Sequence, residues 1–580
     1  LRLVYQLLPN LSIMGRASLR DQDINKESKI AKSYMNYGDS RLGDYKVWNI
    51  RQKNVDADLL ATYTQNLLSD IEMTANVGAS VFYRSYRNDY ASTDGLNVPG
   101  IYSLNNSTGQ ILTFNSDYPL YGSRNEKEIR SIYASVNFDL SKYAYLTLTG
   151  RNDWSSTLAK GNNSYFYPSV SLSSIVSDYV KLPVCIDYLK IRGSWATVSS
   201  DLDPYQIQQV YSKLANWGSL SQVSYPANLI NYNIKPQKTT SVDVGFYISF
   251  LKRLSLDFSY YHNTDQNQIL DMVISQASGF SSNKVNGNKY TTNGVEMMID
   301  AKAVQTKDFS WNVNLNLSHS VKKLSEIYNG AEYFGNLKKG DRADSYYATV
   351  WQRSADGQLI VDATGQPIKD PYVRNVGHMN PDLRYGLQNT FKYKDFILNI
   401  DVDGALGGLI YSQLSPKLWW GGKHPNSVQY RDEEYSAGKA VYVPDAVVVT
   451  GGEIKYDVNG NIVSDTRTYA KNTLAVGWQS WCQNYPYRAV VTDKMDKTFA
   501  NTFSRSYLKL RYVAITYDMH RLLNPNSAIK GLTVTVFGNN LAIKSKAPWI
   551  DPDINGDSDS NNGASDPTAR YIGFGMNVKF

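Results

Sequence analysis

The stretch YIGFGMNVKF, Tyr571 to Phe580, sets the reading of the whole chain. Every second residue gives Ile572, Phe574, Met576, Val578 and Phe580, and the intervening set is Tyr571, Gly573, Gly575, Asn577 and Lys579. Alternation this regular is a β-strand with one apolar and one polar face. The same pattern recurs upstream. IYASVNFDL places Ile132, Ala134, Val136, Phe138 and Leu140 on one face, and WNVNLNLS sets Trp311, Val313, Leu315 and Leu317 against Asn312, Asn314 and Asn316.

About 17 such segments follow from the pattern, near 1–8, 11–22, 53–64, 71–84, 128–139, 144–153, 165–178, 188–198, 238–250, 254–264, 293–303, 309–322, 383–393, 396–411, 506–518, 532–543 and 569–580. Their connections alternate in length. Pro9–Asn10, Gln65–Asp70, Leu140–Tyr143, Leu251–Arg253, Val304–Asp308 and Lys394–Asp395 are short, whereas 199–237, 323–382 and 412–505 are long. Short turns on one rim and long loops on the other are the signature of an antiparallel outer-membrane β-barrel, with lipid covering the apolar face and the short turns periplasmic. The competing architecture is a soluble β-sandwich or lectin, whose apolar faces cover each other across two sheets.

Composition agrees with an all-β chain. The 580 residues hold 45 Tyr against 17 Phe, and the mean hydropathy is below zero. A run of about 18 apolar residues, the length of a membrane-spanning helix, is absent from the sequence. The net charge of +7 is spread along the chain, so no nucleic-acid footprint is read from it. Cys185 and Cys482 are the two cysteines and neither belongs to a CxxC, which argues against a disulfide framework or a zinc site. The five histidines are scattered, and no HExxH, nucleophile elbow or phosphate loop is present, so no enzyme activity is expected.

Two sets of loop residues carry candidate binding chemistry. The loop 412–505 holds Trp419, Trp420, Trp478, Trp481, Tyr485 and Tyr487; aromatic faces stack on the C–H faces of sugar rings, and nearby amides and charges take the hydroxyls. The bland reading of the same residues is loop core, partner contact or interfacial girdle. The same loop contains IKYDVNGNIV, with Asn459–Gly460 placed for a hairpin turn, and an earlier loop contains GQLIVDATGQPI; both are expected to fold and dock onto a lid. In DPDINGDSDSNN, Asp551, Asp553, Asn555 and Asp557 mimic the start of a calcium loop, although the twelfth position is Asn562 and not the bidentate Glu. The default there is an acidic surface loop. Trp154 reads as an interfacial anchor, with Arg151 and Asp153 as rim contacts.

TGRNDWSS followed by YFYPSVSLSSIVSD and YLKIRGSWATVSSD, then NIKPQKTTSVDVGF, LSLDFSYYHNTDQNQIL, NGVEMMIDA and GHMNPDLRYGLQNTFKYKDFILNIDVDGALGG, resemble the SusC/RagA family of TonB-dependent outer-membrane transporters of Bacteroidetes. SYLKLRYVAITYDM, TVTVFGNNL and DPDIN extend the likeness to the end. The resemblance implies a 22-stranded barrel with an internal plug, a SusD-like lipoprotein over the mouth, coupling to the TonB complex, import of oligosaccharides or peptides, and dimers of such pairs. It also implies that Phe580 is the signal read by the barrel-assembly machinery. Seventeen strands put Leu1 on the outer side, whereas single-chain bacterial barrels have even counts with both ends periplasmic. With no initiator Met, the chain is therefore expected to be a partial barrel, residues 1–580, lacking the plug and the first strands.

Overall fold

The computed structural model describes all residues except 33, 35–41, 112–123, 142, 215–216, 489–500, 525–527 and 554–567. Its large antiparallel sheet has seventeen strands. In chain order these are β1 (Arg2–Leu8), β2 (Leu11–Ile30), β3 (Asp44–Leu68), β4 (Ile71–Ser92), β5 (Arg124–Asp139), β6 (Tyr145–Ser155), β7 (Ser164–Ile175), β8 (Ile186–Ser200) and β9 (Gln237–Phe250). They continue as β10 (Leu254–Gln266), β11 (Lys289–Gln305), β12 (Phe309–Glu326), β13 (Leu383–Tyr393), β14 (Phe396–Leu406), β15 (Tyr507–Asp518), β16 (Gly531–Ser545) and β17 (Tyr571–Lys579). Connections of thirteen residues or more follow β2, β4, β8, β10, β12, β14 and β16, and those after β1, β3, β5, β9, β11 and β13 have five residues or fewer; the connections after β6, β7 and β15, with 8, 10 and 12 residues, lie between.

The chain divides into two compact units. In the first (Leu1–Lys181, Lys190–Val244, Asn263–Lys289), β1 to β8 form a meander, each strand pairing antiparallel with the next. In the second (Leu182–Leu189, Gly245–His262, Tyr290–Phe580), β12 to β17 do the same.

The alternation seen in the sequence is present in the exposure. On β17, Ile572, Phe574 and Met576 are 78 %, 66 % and 63 % exposed. They lie opposite Gly538, Val536 and Val534 of β16, so apolar residues form continuous rows across the ladder. Among the described residues no second layer covers these rows, as a sandwich would require. The opposite face is polar and knitted together by side chains. Thr62 donates to Asn76 (2.7 Å) and Asn76 to Ser135 (3.2 Å) across β3, β4 and β5, and Thr390 donates to Asn399 (2.9 Å) between β13 and β14. On this face aromatic rings of one strand cover glycines of the next: Tyr133 lies directly opposite Gly78, and its hydroxyl passes over it to Asp58 of β3 at 3.0 Å. A Cβ at Gly78 would strike the Tyr133 ring.

Several strands run further than the alternation predicts, three of them by eight residues or more. β2, β3 and β4 extend to Ile30, back to Asp44 and on to Ser92, beyond the expected limits at 22, 53 and 84. Their extra length is held by the backbone ladder, by cross-strand pairs such as Arg51–Asp21 (2.9 Å) and Tyr45–Glu27 (3.0 Å), and by Trp48, buried against Tyr90 directly opposite it on β4. β14 is shorter than expected: it ends at Leu406, because Gly407 and Gly408 adopt φ of 80° and 73° and turn the chain away. The segment Leu409–Tyr411 then pairs with Thr502–Ser504, closing the base of the longest loop.

Candidate functional site

The long loops of the second unit fold into a compact cap. Leu359–Val361 pairs parallel with Ala446–Val448, and the same strand pairs antiparallel with Thr468–Lys471. Helices α1 (Leu414–Trp420), α2 (Arg431–Ala437) and α3 (Trp478–Arg488) join this small sheet. In α3, Trp478, Trp481, Cys482 and Tyr485 stand at i, i+3, i+4 and i+7, one face of a helix. That face builds a core with Leu359, Val361, Trp419, Ala446 and Val476. Trp481 and Tyr485 lie 4.9 Å apart, and Tyr442 meets Trp478 edge-on at 4.9 Å.

Polar anchors fix the helices. Glu434 accepts a bond from the Trp478 amide (2.8 Å), placing a carboxylate at the α3 N-terminus where the helix dipole favours it. The Trp478 indole donates to the Ser427 carbonyl (2.8 Å), and Arg431 donates to the carbonyls of Ser427 (2.8 Å) and Gly422 (2.7 Å). His424 stacks on Trp419 at 3.8 Å and meets Trp549 edge-on at 5.0 Å. Burial lowers the His424 pKa to about 4, so its ring is neutral, and its Nδ1 accepts from the Asn426 amide (3.1 Å). Burial pushes the Cys482 thiol up to about 12, which leaves it protonated and a poor nucleophile.

A cleft of about 550 Å³ opens beside α1 and α3, a size suited to a small ligand. Trp420, 53 % exposed, forms one wall, and Tyr435, Gln479 and Gln483 reach its other sides; Arg431 and Glu434 lie at its floor, already engaged in holding the cap together. The site therefore offers an aromatic face flanked by neutral amides and a phenol. It is equipped to stack on a C–H face or a ring and to bond neutral polar groups, with no activated nucleophile beside it.

The sequence-derived aromatics divide between core and site. Trp419, Trp481 and Tyr485 are buried in the cap, and Trp478 is buried at the cleft's edge. Tyr487 packs against Trp420 at 5.0 Å. Trp420 is thus the aromatic of the six that presents its face to the opening. Tyr435, Gln479 and Gln483 were not anticipated; the i, i+4 spacing of Gln479 and Gln483 beside the α3 apolar stripe is the signal that locates them.

Both small hairpins dock within the chain. Gly460 accepts from Arg374 (2.6 Å), Tyr456 meets Tyr372 at 5.0 Å, and Gln366 donates to Ser480 (3.2 Å). Asp551 and Asp553 have cationic partners. Lys509 donates to both (2.7 and 3.0 Å), Arg511 to Asp553 (2.8 Å), and the Tyr507 hydroxyl to Asp553 (3.0 Å). Burial opposes ionisation of Asp553, but these bonds outweigh it and hold its carboxyl below the usual value. Asn555 and Asp557 lie outside the described residues, and no group of acidic, His or Cys side chains fit to hold a metal is found among those that are described. Trp154 is 37 % exposed at the end of β6; Arg151 pairs with Asp153 (2.7 Å), and Tyr167 donates to Asp153 (2.6 Å). Phe580 follows β17 with its ring exposed.

Comparison with known proteins fits this architecture. The family described as TonB dependent receptor-like, beta-barrel matches residues 10–541. TonB-dependent receptor P26 of Formosa agariphila is 22 % identical over 97 % of this chain and 57 % of its own length. TonB-dependent receptor P3 of the same organism is 23 % identical over 79 % of this chain and 46 % of its own, and TonB-dependent receptor SusC of Bacteroides thetaiotaomicron is 23 % identical over 50 % and 32 %. The chain thus spans about half the length of the curated relatives that match most of it. Among solved structures, the RagAB peptide transporter superposes over all of this chain and 61 % of its own, with a TM-score of 0.73 at 17 % identity, which shows a shared fold.

Proposed function

Since the chain belongs to the TonB-dependent receptor-like β-barrel family, with SusC/RagA proteins as its relatives, we propose that it forms the channel wall and ligand-capturing cap of an outer-membrane importer for oligosaccharides or peptides. It is an outer-membrane protein, and its exposed apolar rows face lipid. The observation that carries the proposal is the cleft built around Trp420: a ligand-sized opening in loops that have their own core and therefore hold their geometry. Trp420 stacks on the ligand, and Gln479, Gln483 and Tyr435 bond its polar groups. The rest of the proposed assembly follows the family resemblance. A SusD-like lipoprotein covers the mouth, a plug couples the barrel to the TonB complex, and Phe580 is the element read by the barrel-assembly machinery.

The test uses the intact gene in its host. Deletion should abolish growth on, and uptake of, the oligosaccharide or peptide imported by the wild type. Trp420→Ala in the full-length protein should leave surface expression unchanged and weaken ligand binding about tenfold, the loss expected for one aromatic stacking contact. Uptake that survives deletion would reduce the protein to a surface barrel or adhesin. Unchanged binding by Trp420→Ala, with uptake lost on deletion, would remove the cleft from the mechanism and leave transport standing.

A further inference from the structure

The lipid-facing surface of β3 to β6 is not level. A groove enclosing about 970 Å³ runs across it, with Ala57 and Ala79 at the floor and Leu59, Val81 and Ile132 as walls. The register accounts for the shape. Ala57 lies opposite Val81, Leu59 opposite Ala79, and Ala79 opposite Ile132, so each row sets a methyl group beside a large side chain. Leu59 and Ile132 are 58 % and 56 % exposed and stand up from the sheet on either side of Ala79.

One end of the groove has different chemistry. Val81 lies opposite Arg130, and Arg130 lies opposite Trp154. The Arg130 side chain is 72 % exposed and its Nε is bonded to Glu128 (2.5 Å), which leaves both Nη groups available. Beyond Arg130 the same face of β5 carries Glu128, Glu126 and Arg124, whereas Ile132 and Ala134 follow on the other side. The boundary between polar headgroups and hydrocarbon therefore crosses β5 between Arg130 and Ile132. Trp154 sits at that level, where indoles are favoured because one edge is apolar and the other can donate.

An occupant must be apolar along Ala57, Ala79 and Ile132 and anionic beside Arg130. We propose that the groove binds one acyl chain of an anionic, phosphate-bearing membrane lipid, with its phosphate held by the Arg130 guanidinium and the Trp154 indole. The chain fills a trough that would otherwise lose dispersion contacts along its walls, and a guanidinium matches phosphate geometry better than any other side chain. The inference rests on the membrane location of this face and is independent of what the barrel imports.

The experiment is native mass spectrometry of the full-length protein, released from detergent after exchange into phosphatidylglycerol or phosphatidylcholine. The wild type should retain one phosphatidylglycerol, with phosphatidylcholine held about tenfold less well, as a charge-assisted contact predicts. Arg130→Gln should abolish that preference, and Ala79→Leu, which fills the floor, should abolish retention of both lipids. Val170→Leu, on the same exposed face but away from the groove, should behave as wild type. Equal retention by wild type and Ala79→Leu would overturn the proposal. So would equal retention of the two lipids by the wild type, or a wild-type dimer that Ala79→Leu converts to monomer, which would place a second copy in the groove.

Discussion

Placing an arginine at Val136 and, separately, at Ser135 tests which face of the sheet meets lipid. The two residues are neighbours on β5 and point to opposite faces. Val136 continues the row of Ile132 and Ala134, whereas Ser135 accepts a bond from Asn76 (3.2 Å) within the polar ladder. Val136 lies four residues below Ile132, about 13 Å along the strand, or about 9 Å down the membrane normal at a tilt near 45°. In an apolar band about 25 Å tall that is close to the midplane, where an arginine costs roughly 2 to 4 kcal/mol. Ser135→Arg loses one hydrogen bond, about 1 kcal/mol, and sends its charge into a polar environment. Full-length protein refolded into bilayers, followed by denaturant titration and gel migration of the folded form, should show the gap. A difference of 2 kcal/mol is about a thirtyfold change in the folding equilibrium. Equal losses in the two variants, or a greater loss for Ser135→Arg, would refute the face assignment.

Other consequences concern the loops and turns. The His424 pKa of about 4 lies below the ordinary value near 6.5, so the unfolded cap binds the proton first, and stability present above pH 6.5 is lost as the pH falls toward 4. By linkage the loss approaches about 3 kcal/mol, and His424→Phe should remove most of this pH dependence when cap opening is followed by limited proteolysis. Lys509→Met removes the buried cation that Asp551 and Asp553 share, leaving Arg511 as the cation on Asp553, and should destabilise the folded barrel by about 3 kcal/mol in the same denaturant titration. Cys185 is exposed in the connection between β7 and β8, on the short-turn rim, and Cys482 is buried. A membrane-impermeant maleimide should therefore label Cys185 only after the outer membrane is permeabilised and should leave Cys482 unlabelled until the cap unfolds; labelling of Cys185 on intact cells would invert the topology.

Much of the sheet is legible in the sequence because a two-residue period survives wherever one face meets an apolar medium, as in Tyr571–Phe580 and Ile132–Leu140. Beyond that medium the signal vanishes although the strand continues. DYKVWNIRQK at the start of β3 alternates poorly, because it is placed by backbone pairing with β2 and β4, and its buried Trp48 packs on Tyr90 across the ladder, a partner no local period encodes. The cap is harder to read for a different reason. Tryptophan serves equally well as core and as ligand platform, so Trp478, Trp481 and Tyr485 are open to both readings in the sequence, and it is their 3–4 spacing on α3 that marks them as the inner stripe of a helix. Trp419 and Trp420 make the distinction sharpest. Adjacent in sequence, they are separated by about 100° around α1, so one is fully buried against His424 and the other faces the cleft. The partners that orient the surroundings, such as Glu434 for the Trp478 amide and Ser427 for its indole, lie some 40 to 50 residues away, at a distance no local pattern encodes. The buried aromatics are thus what makes the exposed one usable. A tryptophan on a mobile loop would pay ordering entropy on binding, whereas Trp420 stands on a helix already packed against its neighbours, and that entropy has been spent in folding.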